Sequence, residues 1–411
     1  MTASFSPASF IFNSGRRGKD LQALRPDFPG ITGRHARRPA GSGSRGARPW
    51  PGPFWGFTLR QILAGVALAL LLVTEAAPGE KPAPPGPRLQ GTFLQLTAAH
   101  GSWQPAQWAR LFDYFKELRL SQLVIQWTVY DDLAFFPASE WRQAPQPPLP
   151  TILQLADAAG LQVWVGLAHD PGFWDKIRRE PGLVEVYLRR VRLRAEAIAG
   201  QLAPQVQGHP SFRGWYISEE VDDVNWQEAP AREALLAFLR DLSAALHRLT
   251  PGSRVAISGF ANARTDPRTF GRFWQALLAA AAIDEVLFQD GIGAGKLLPE
   301  ELPVYLEALR QAVQSQSREL KVVVELFRIV SEHPFRAQPA PWERVARQLQ
   351  IAAPFATGGL LAFSVPEYLT PLGGPEAEKL FKAYLDYRRP RPKTRMETVR
   401  QPSGSGKLWQ D

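Results

Sequence analysis

A regular alternation of short apolar runs and longer amphipathic segments is the feature of this sequence that most constrains its fold. β-Rich runs recur at residues 91–96, 122–127, 162–167, 213–218, 254–258, 285–289, 321–327 and 359–363. Each run is bounded by polar residues or glycine, which is typical of strands buried on both faces. Helical periodicity marks the segments between and after them, at 105–118, 151–159, 183–202, 231–249, 267–281, 300–314, 342–353 and 376–387.

Eight strand–helix pairs in about 300 residues predict a closed (β/α)8 TIM barrel. An open, doubly wound sheet is the alternative, and it usually carries a glycine-rich turn after its first strand. Here the first run continues as T-A-A-H-G-S-W, without that fingerprint. We therefore predict a single-domain α/β protein whose barrel spans residues 89–388.

The segments outside the barrel differ from it in composition. Residues 1–57 are rich in Gly, Pro, Ser and Arg, and we predict that they and the basic tail 389–411 are disordered. The apolar run 62–73 makes residues 58–77 a signal peptide or a signal anchor, because it is short for a membrane span. The long basic segment before it leaves two explanations, a start codon assigned too far upstream or a genuine anchor. Residues 78–88 form a proline-rich linker.

The net charge of +9 lies in these flanking segments. Residues 1–60 carry ten Lys/Arg and two Asp, and residues 389–411 carry six Lys/Arg and two acids, so the barrel itself is mildly acidic. Nucleic-acid binding needs a clustered basic face, and we predict no nucleic-acid partner. The absence of cysteine excludes disulfides, thiolate metal ligands and cysteine nucleophiles. No cluster has convincing metal-ligand spacing, and we predict neither a metal nor a cofactor.

The C-terminal ends of the predicted strands are the candidate site, because catalytic groups of such barrels come from these ends. They are rich in carboxylates and amides, with tryptophans in the same loops. Sugars need such polar partners for their hydroxyl groups and aromatic rings for their apolar faces. We predict substrate binding by the following side chains: Gln95, Gln126, Trp127, Asp170, Trp215, Asp222, Asp223, Asn262, Gln289, Asp290, Glu367 and Tyr368.

Glu220 and Glu325 are the predicted catalytic pair. Glu220 closely follows the fourth run, and Glu325 stands inside V-V-V-E-L-F in the seventh. Two acids on two strands facing one pocket is the arrangement that breaks glycosidic bonds. Since neighbouring side chains of a strand point to opposite sides, only one of Glu219 and Glu220 is expected to face the pocket. The alternatives are that Glu219 or Glu220 caps the next helix or pairs with an arginine, and that Asp222 and Asp223 only begin the next loop.

Two further motifs favour structural interpretations. The pair His169–Asp170 is more typical of a capped loop than of a proton shuttle or a metal site. Residues 291–296, G-I-G-A-G-K, lack the spacing of a phosphate-binding Walker loop, and we expect a flexible loop there. No G-x-S-x-G motif supports acyl hydrolysis.

Three motifs carry a resemblance to a known family. They are G-T-F-L-Q at 91–95, G-W-Y-I-S-E-E-V-D-D at 214–223 and F-Q-D-G-I-G at 288–293. With them, residues 90–388 resemble a bacterial family of uncharacterised, glycosidase-like TIM barrels. This family is similar to the glycoside hydrolase clan with Glu on strands four and seven. The resemblance implies Glu220 as proton donor, with Glu219 as the fallback, and Glu325 as nucleophile.

The chain departs from that clan at two positions. The clan usually has Asn directly before the strand-four Glu, where Glu219 stands here, or Ser218 if Glu219 is the donor. Residues 364–368 replace its usual strand-eight Trp.

Our hypothesis is an exported glycoside hydrolase-like enzyme that acts on a polysaccharide in the periplasm or outside the cell. Residues 58–77 would tether it to the inner membrane if they are not cleaved. The alternative is a non-catalytic carbohydrate-binding or exopolysaccharide-assembly protein on the same barrel. A weaker alternative is a metal-dependent deacetylase or phosphatase that uses Asp170, Asp222, Asp223 and Asp290.

Overall fold

Eight parallel strands close into a barrel in the computed structural model, which describes residues 86–332 and 334–389. Strands that follow one another in sequence pair side by side, and the first strand closes the ring on the eighth. The predicted (β/α)8 TIM barrel is confirmed. Its strands are β1 (Leu89–Leu94), β2 (Gln122–Ile125), β3 (Gln162–Gly166), β4 (Phe212–Val221), β5 (Arg254–Gly259), β6 (Glu285–Gln289), β7 (Glu319–Glu325) and β8 (Leu360–Phe363).

One long helix follows each strand and covers its outer face. Several helices begin at proline, which is tolerated there because the first N–H groups have no partner within the helix. In the fifth helix the Asp266 carboxylate accepts the N–H of Thr269 at 3.0 Å, as an N-cap. The helices are α1 (Pro105–Glu117), α2 (Leu149–Ala159), α3 (Pro181–Val206), α4 (Ala229–Leu249), α5 (Pro267–Ala280), α6 (Leu302–Ser315), α7 (Trp342–Ala352) and α8 (Pro375–Arg388).

Short elements that sequence periodicity did not predict build the barrel mouth. After β2 and β3 the chain forms a small sheet, which includes Val129–Tyr130 and Ala168–His169. After β7 it forms a two-stranded hairpin, Phe327–Glu332 and Phe335–Pro339. A one-turn helix, Val365–Tyr368, follows β8. All of these follow strand C-termini, so they shape the end of the barrel where a site is expected.

Strand β4 is the longest of the barrel, and its pairing with β5 is interrupted near its end. Ile217 pairs with Ile257 and Val221 with Gly259, so four steps along β4 correspond to two along β5. The extra residues include Glu219 and Glu220. Such irregularities re-aim side chains and are frequent beside active sites.

The flanking predictions remain predictions. Residues 1–77 and most of the linker lie outside the described residues, as does the tail from residue 390. Among the described residues, every helix is too short or too polar to cross a bilayer.

Candidate active site

Glu220 lies at the end of β4 and is buried, with 3% of its surface exposed. Its Oε1 accepts a hydrogen bond from Gln289 Nε2 of β6 at 2.5 Å. Its Oε2 is buried without a hydrogen-bond partner among the described residues. Burial raises the pKa of Glu220 to about 7, although the Lys296 ammonium and the Gln289 amide favour the ionised form. A carboxyl group of this kind can carry a proton near neutral pH.

Glu325 ends β7 and is equally buried, but hydrogen-bond donors and cations surround it. Its Oε2 accepts the backbone N–H of Ala294 at 2.6 Å. Burial raises the pKa of Glu325, and this N–H, Lys296 and Arg344 oppose that rise. Glu325 is therefore the carboxyl group better equipped to hold a negative charge. The charge of Glu325 in turn raises the pKa of Glu220. An ionised and a protonated carboxyl group within one electrostatic environment can act as nucleophile and acid.

The loop after β6 is built onto Glu325. At Gly293 a Cβ atom would lie 2.7 Å from the Cβ of Glu325 and 2.6 Å from the carbonyl oxygen of Phe327, so only glycine fits. Gly291 and Gly295 have φ values of 67° and 68°, in the left-handed region that favours glycine. We expected a flexible loop here, whereas the structure shows one with specific contacts to a predicted catalytic carboxylate.

Lys296 ends the glycine-rich segment of this loop, and our reasoning from the sequence did not include it among the site residues. Its Nζ lies 3.0 Å from the ring centroid of Phe260, at the end of β5. Burial lowers the pKa of Lys296 to about 8, and the carboxylates of Glu220 and Glu325 oppose that shift. The lysine is thus electrostatically linked to both predicted catalytic residues. The signal in the sequence is a lysine that closes the glycine-rich segment G-I-G-A-G-K just beyond a strand end.

Glu219 lies in a different environment from its neighbour. Burial raises the pKa of Glu219 to about 8, and the nearby charges are those of Arg194 on α3 and Asp170 after β3. It lines a cavity of about 10 Å³ together with His169, Trp174 and Glu220. The strand thus directs the two glutamates to different sets of charges, as alternation predicts.

Asp170 is held within its own loop. Its carboxylate accepts the Gly172 N–H at 2.8 Å, Lys176 Nζ at 2.5 Å and Tyr187 Oη at 2.9 Å. These contacts support the loop-capping interpretation of the pair His169–Asp170.

Asp222 and Asp223 also organise loops. Asp222 accepts the N–H of Asn225 at 2.9 Å and its side-chain Nδ2 at 2.6 Å. Asp223 accepts the N–H of Asn262 at 2.7 Å and that of Arg264 at 2.9 Å, which ties the loop after β4 to the loop after β5. Asn262 Nδ2 also donates to Asp223, at 3.1 Å. The bonds support the alternative that these aspartates begin the next loop rather than bind substrate.

Gln95 and Gln126 present unused polar atoms near the ends of β1 and β2. Both side chains are buried, and Nε2 of Gln95 and both amide atoms of Gln126 have no hydrogen-bond partner in the described part of the chain. Trp127 follows Gln126, donates its Nε1 to the Leu96 carbonyl at 2.7 Å and stacks on His169. Buried amides without partners are expensive, so these groups are candidates to bind a polar ligand.

Trp215, which we predicted to bind substrate, lies within the barrel wall. Its Nε1 donates to Thr250 Oγ1 at 2.7 Å, and its ring packs against Phe212, at the start of β4. It is fully buried. The reason is alternation: Tyr216 packs against Phe93 of β1 across the barrel, so its neighbour Trp215 points to the other face of β4.

Asp290 supports Glu325 rather than facing open space. It is fully buried and accepts Gln348 Nε2 at 2.6 Å and the backbone N–H of Glu325 at 3.4 Å. Burial and the Glu325 charge raise the pKa of Asp290 to about 8. Asp290, which we predicted to bind substrate, therefore also holds the end of β7.

Glu367 and Tyr368 line a groove that they share with the loop after β1. This groove has a volume of about 390 Å³ and includes His100, Trp103 and the hairpin residue Gln338. Burial raises the pKa of Glu367 to about 7, and Ser364 Oγ donates to it. Tyr368 packs against Phe327, two residues beyond Glu325. The groove combines aromatic and polar side chains, as a sugar-binding surface requires, and burial, with a contribution from the Glu325 charge, raises the pKa of its Tyr368.

No group of three or more His, Asp or Glu residues in 86–332 and 334–389 is arranged to hold a metal ion.

Comparisons with known proteins agree with this architecture. Residues 89–377 match the family model described as "Domain of unknown function (DUF4434)". The chain is 32% identical over 260 residues to the uncharacterised protein YbcH of Escherichia coli K12, across 60% of this chain and 82% of YbcH.

Similar solved structures have low sequence identity to this chain. A Bacteroides thetaiotaomicron protein provisionally described as an alpha-L-fucosidase superposes with a TM-score of 0.63 at 16% identity, over 74% of this chain and 96% of that one. An intracellular xylanase of Thermoanaerobacterium saccharolyticum gives a TM-score of 0.41 at 12% identity, over 68% and 88%.

Proposed function

We propose that this chain, which belongs to the DUF4434 family, is a glycoside hydrolase-like enzyme that cleaves a polysaccharide by two-carboxylate catalysis. The observation that carries the proposal is the shared environment of Glu220 on β4 and Glu325 on β7. The shared fold with a protein described as a fucosidase is consistent with it.

Glu220 is the proposed acid. With a pKa of about 7 it holds a proton near neutral pH, and its Oε2 is not engaged by the described residues. That oxygen would protonate the glycosidic oxygen as the bond to the anomeric carbon breaks. Glu325 would attack the anomeric carbon, or orient a water that does so, while Ala294 and Lys296 stabilise its charge. Water completes the hydrolysis in the first case, and Glu220 takes up its proton.

Substrate contacts would come from two sides of this pair. Gln95 and Gln126 offer amide groups to sugar hydroxyls, and Trp103 and Tyr368 offer aromatic faces in the groove. The groove volume of about 390 Å³ lies in the range of small-ligand sites.

The test is release of reducing ends from a panel of bacterial and plant polysaccharides. We expect Glu220→Gln and Glu325→Gln each to lower the rate by at least about 10²-fold, because each removes a proton-transferring or nucleophilic group. Glu219→Gln is the matched control, one residue away and outside the pair, and it should retain most of the activity. Equal rates in all four proteins would contradict the proposal. The anomeric configuration of the first product separates attack by Glu325 from attack by water.

Burial of the pair favours a second candidate, a non-catalytic carbohydrate-binding or exopolysaccharide-assembly protein. Glu220 and Glu325 are each only 3% exposed, and the loop that carries Lys296 lies against Glu325. Polysaccharide binding without release of reducing ends, unchanged in Glu325→Gln, would favour this candidate.

Export to the periplasm or beyond is part of the proposal and rests on the apolar run at 62–73. N-terminal sequencing of the mature protein from fractionated cells tests it. A mature chain that starts after residue 77 would support cleavage, and a chain that retains 58–77 in the membrane fraction would support an anchor.

A further inference from the structure

The loop after β6 spans the barrel mouth from β7 to β5. At one end the Ala294 N–H binds the Glu325 carboxylate. The loop then turns back, with the N–H of Lys296 donating to the Gly291 carbonyl at 2.8 Å. This turn directs the lysine side chain onto the ring of Phe260, whose own N–H donates to the Val221 carbonyl at the end of β4. One loop thereby connects the strand ends that carry Glu220 and Glu325.

Several carboxylates act electrostatically on the Lys296 ammonium, but it forms no ion pair with a carboxylate of the described residues. The charges that act on it are those of Glu220, Asp222 and Asp223 from the β4 side and Glu325 from β7. Asp222 and Asp223 already accept backbone N–H groups. No carboxylate of the described residues lies at ion-pair distance from Nζ, which rests on the Phe260 ring instead. Its N–H donors therefore remain available to a ligand.

We propose that Lys296 is a third functional residue of this site, which acts as the counter-charge for the Glu325 carboxylate and donates hydrogen bonds to glycan oxygens beside the bond that breaks. This inference rests on the proposed function and assigns a role to a residue outside the carboxylate pair.

The Lys296 charge decides how one proton is divided between the carboxyl groups of Glu220 and Glu325. Two buried carboxylates with no cation nearby would both tend to be protonated, because burial disfavours their charge. A fixed ammonium group compensates one negative charge. Glu325 also faces Arg344 and the Ala294 N–H, so it is the group that ionises, while Glu220 keeps the proton. Removal of the ammonium group should raise the pKa of both carboxyl groups and shift the onset of activity to higher pH.

The first test needs no substrate. The folded full-length protein is labelled with limiting acetic anhydride between pH 6 and pH 10, and peptide mass spectrometry follows each lysine. We expect Lys296 to titrate near pH 8, and the exposed Lys379 serves as the internal reference. In Glu325→Gln the Lys296 pKa should fall further, because a carboxylate that stabilises the ammonium form is gone. Glu185→Gln, on an exposed face of α3, controls for the loss of a distant carboxylate. A Lys296 titration that matches Lys379 and ignores Glu325→Gln would overturn the inference.

The second test uses the reaction. Lys296→Met should lower kcat/KM by about 10²-fold at pH 7, since a preorganised hydrogen-bond donor and a positive charge are lost. It should also move the acidic limb of the pH–activity profile to higher pH. Lys296→Arg keeps the charge and should keep the limb in place. Lys176→Met, which removes a lysine paired with Asp170, is the control for charge alone. An unchanged pH profile in Lys296→Met, with thermal unfolding like wild type, would overturn the role.

The two tests separate the inference from the function it rests on. If wild-type protein releases no reducing ends, the hydrolase proposal fails. The labelling result then still decides whether Lys296 and Glu325 form a coupled pair.

Discussion

Two buried polar clusters lie inside the same barrel, one at each end, and they differ in how fully they are bonded. Near the strand N-termini, Lys321 Nζ pairs with Glu285 at 2.5 Å, and Arg254 pairs with the other oxygen of Glu285 at 2.6 Å. Arg254 also pairs with Glu319 at 2.9 Å, and Lys321 lies 3.8 Å from the ring of Trp164. Every charged group of this cluster has an opposite charge beside it.

At the mouth, several buried polar atoms of the described chain have no protein partner. They are Oε2 of Glu220, Nε2 of Gln95 and both amide atoms of Gln126. In the first cluster, ion pairs offset the cost of burying the charged groups. In the second cluster, no protein partner offsets the cost of burying these polar atoms. Proteins keep such unsatisfied groups mainly where function needs them. The contrast separates a structural polar cluster from a candidate active site inside one fold.

The largest expected effect comes from breaking the ion pairs of the cluster near the strand N-termini. Lys321→Met leaves Glu285 buried with less compensating charge, and we expect the free energy of unfolding to fall by about 3–5 kcal/mol. Urea denaturation followed by far-UV circular dichroism measures it. The control is Lys176→Met, whose pair with Asp170 is partly exposed and should cost about 1 kcal/mol or less. If both variants lose the same free energy of unfolding, the ion pairs near the strand N-termini do not stabilise the barrel as their bonding suggests.

The sequence was sufficient to predict the barrel, because each of the eight strands is a buried run with clear boundaries and each helix has its own periodicity. The structure moved most ends by only one or two residues, although β4 extends three residues beyond its prediction, through the irregular segment that holds Glu219 and Glu220. Pairing between strands depends on backbone irregularities that apolar periodicity does not encode.

The candidate site was predicted less completely. Strand alternation places Trp215 on the face opposite to its neighbour Tyr216, which packs against Phe93 of β1. Lys296 and the groove beside Trp103 could not be placed, because the path of a loop after its strand is set by tertiary contacts such as those of Gly293 with Glu325. Asp290 ends its strand like the other candidates, yet it turns to Gln348 of α7.

A smaller effect should appear at the mouth as a dependence of stability on pH. The pKa of Glu220 is raised by burial from 4.5 to about 7, so the folded protein binds this proton more tightly than the unfolded chain does. The free energy of unfolding should therefore fall as pH rises between about 4.5 and 7. Glu220→Gln removes this contribution, and its stability relative to wild type should increase by about 1–3 kcal/mol from pH 5 to pH 8.

Thermal unfolding of wild type and Glu220→Gln at both pH values measures this difference. Glu376→Gln, on the exposed surface of α8, is the control for loss of one carboxylate. A stability difference for Glu220→Gln that stays constant with pH would show that Glu220 is ionised throughout this range, and it could not then serve as the proposed acid.

The smallest effect on stability should come from the unpartnered amide of Gln126. It also tests most directly whether the two buried polar clusters differ in function. Gln126→Leu removes two buried polar atoms that have no hydrogen-bond partner in the described chain. The free energy of unfolding should therefore change by no more than about 1 kcal/mol, and an increase is expected if it changes at all. The same substitution at Gln348 breaks its hydrogen bonds to Asp290 and to the Glu325 carbonyl and should destabilise by about 1–3 kcal/mol. If Gln126 is retained for a ligand, Gln126→Leu should weaken polysaccharide retention in affinity electrophoresis although the fold is intact. Full retention with unchanged stability would mean that its unpaired amide serves no ligand, and the distinction between the two clusters would then rest on Glu220 alone.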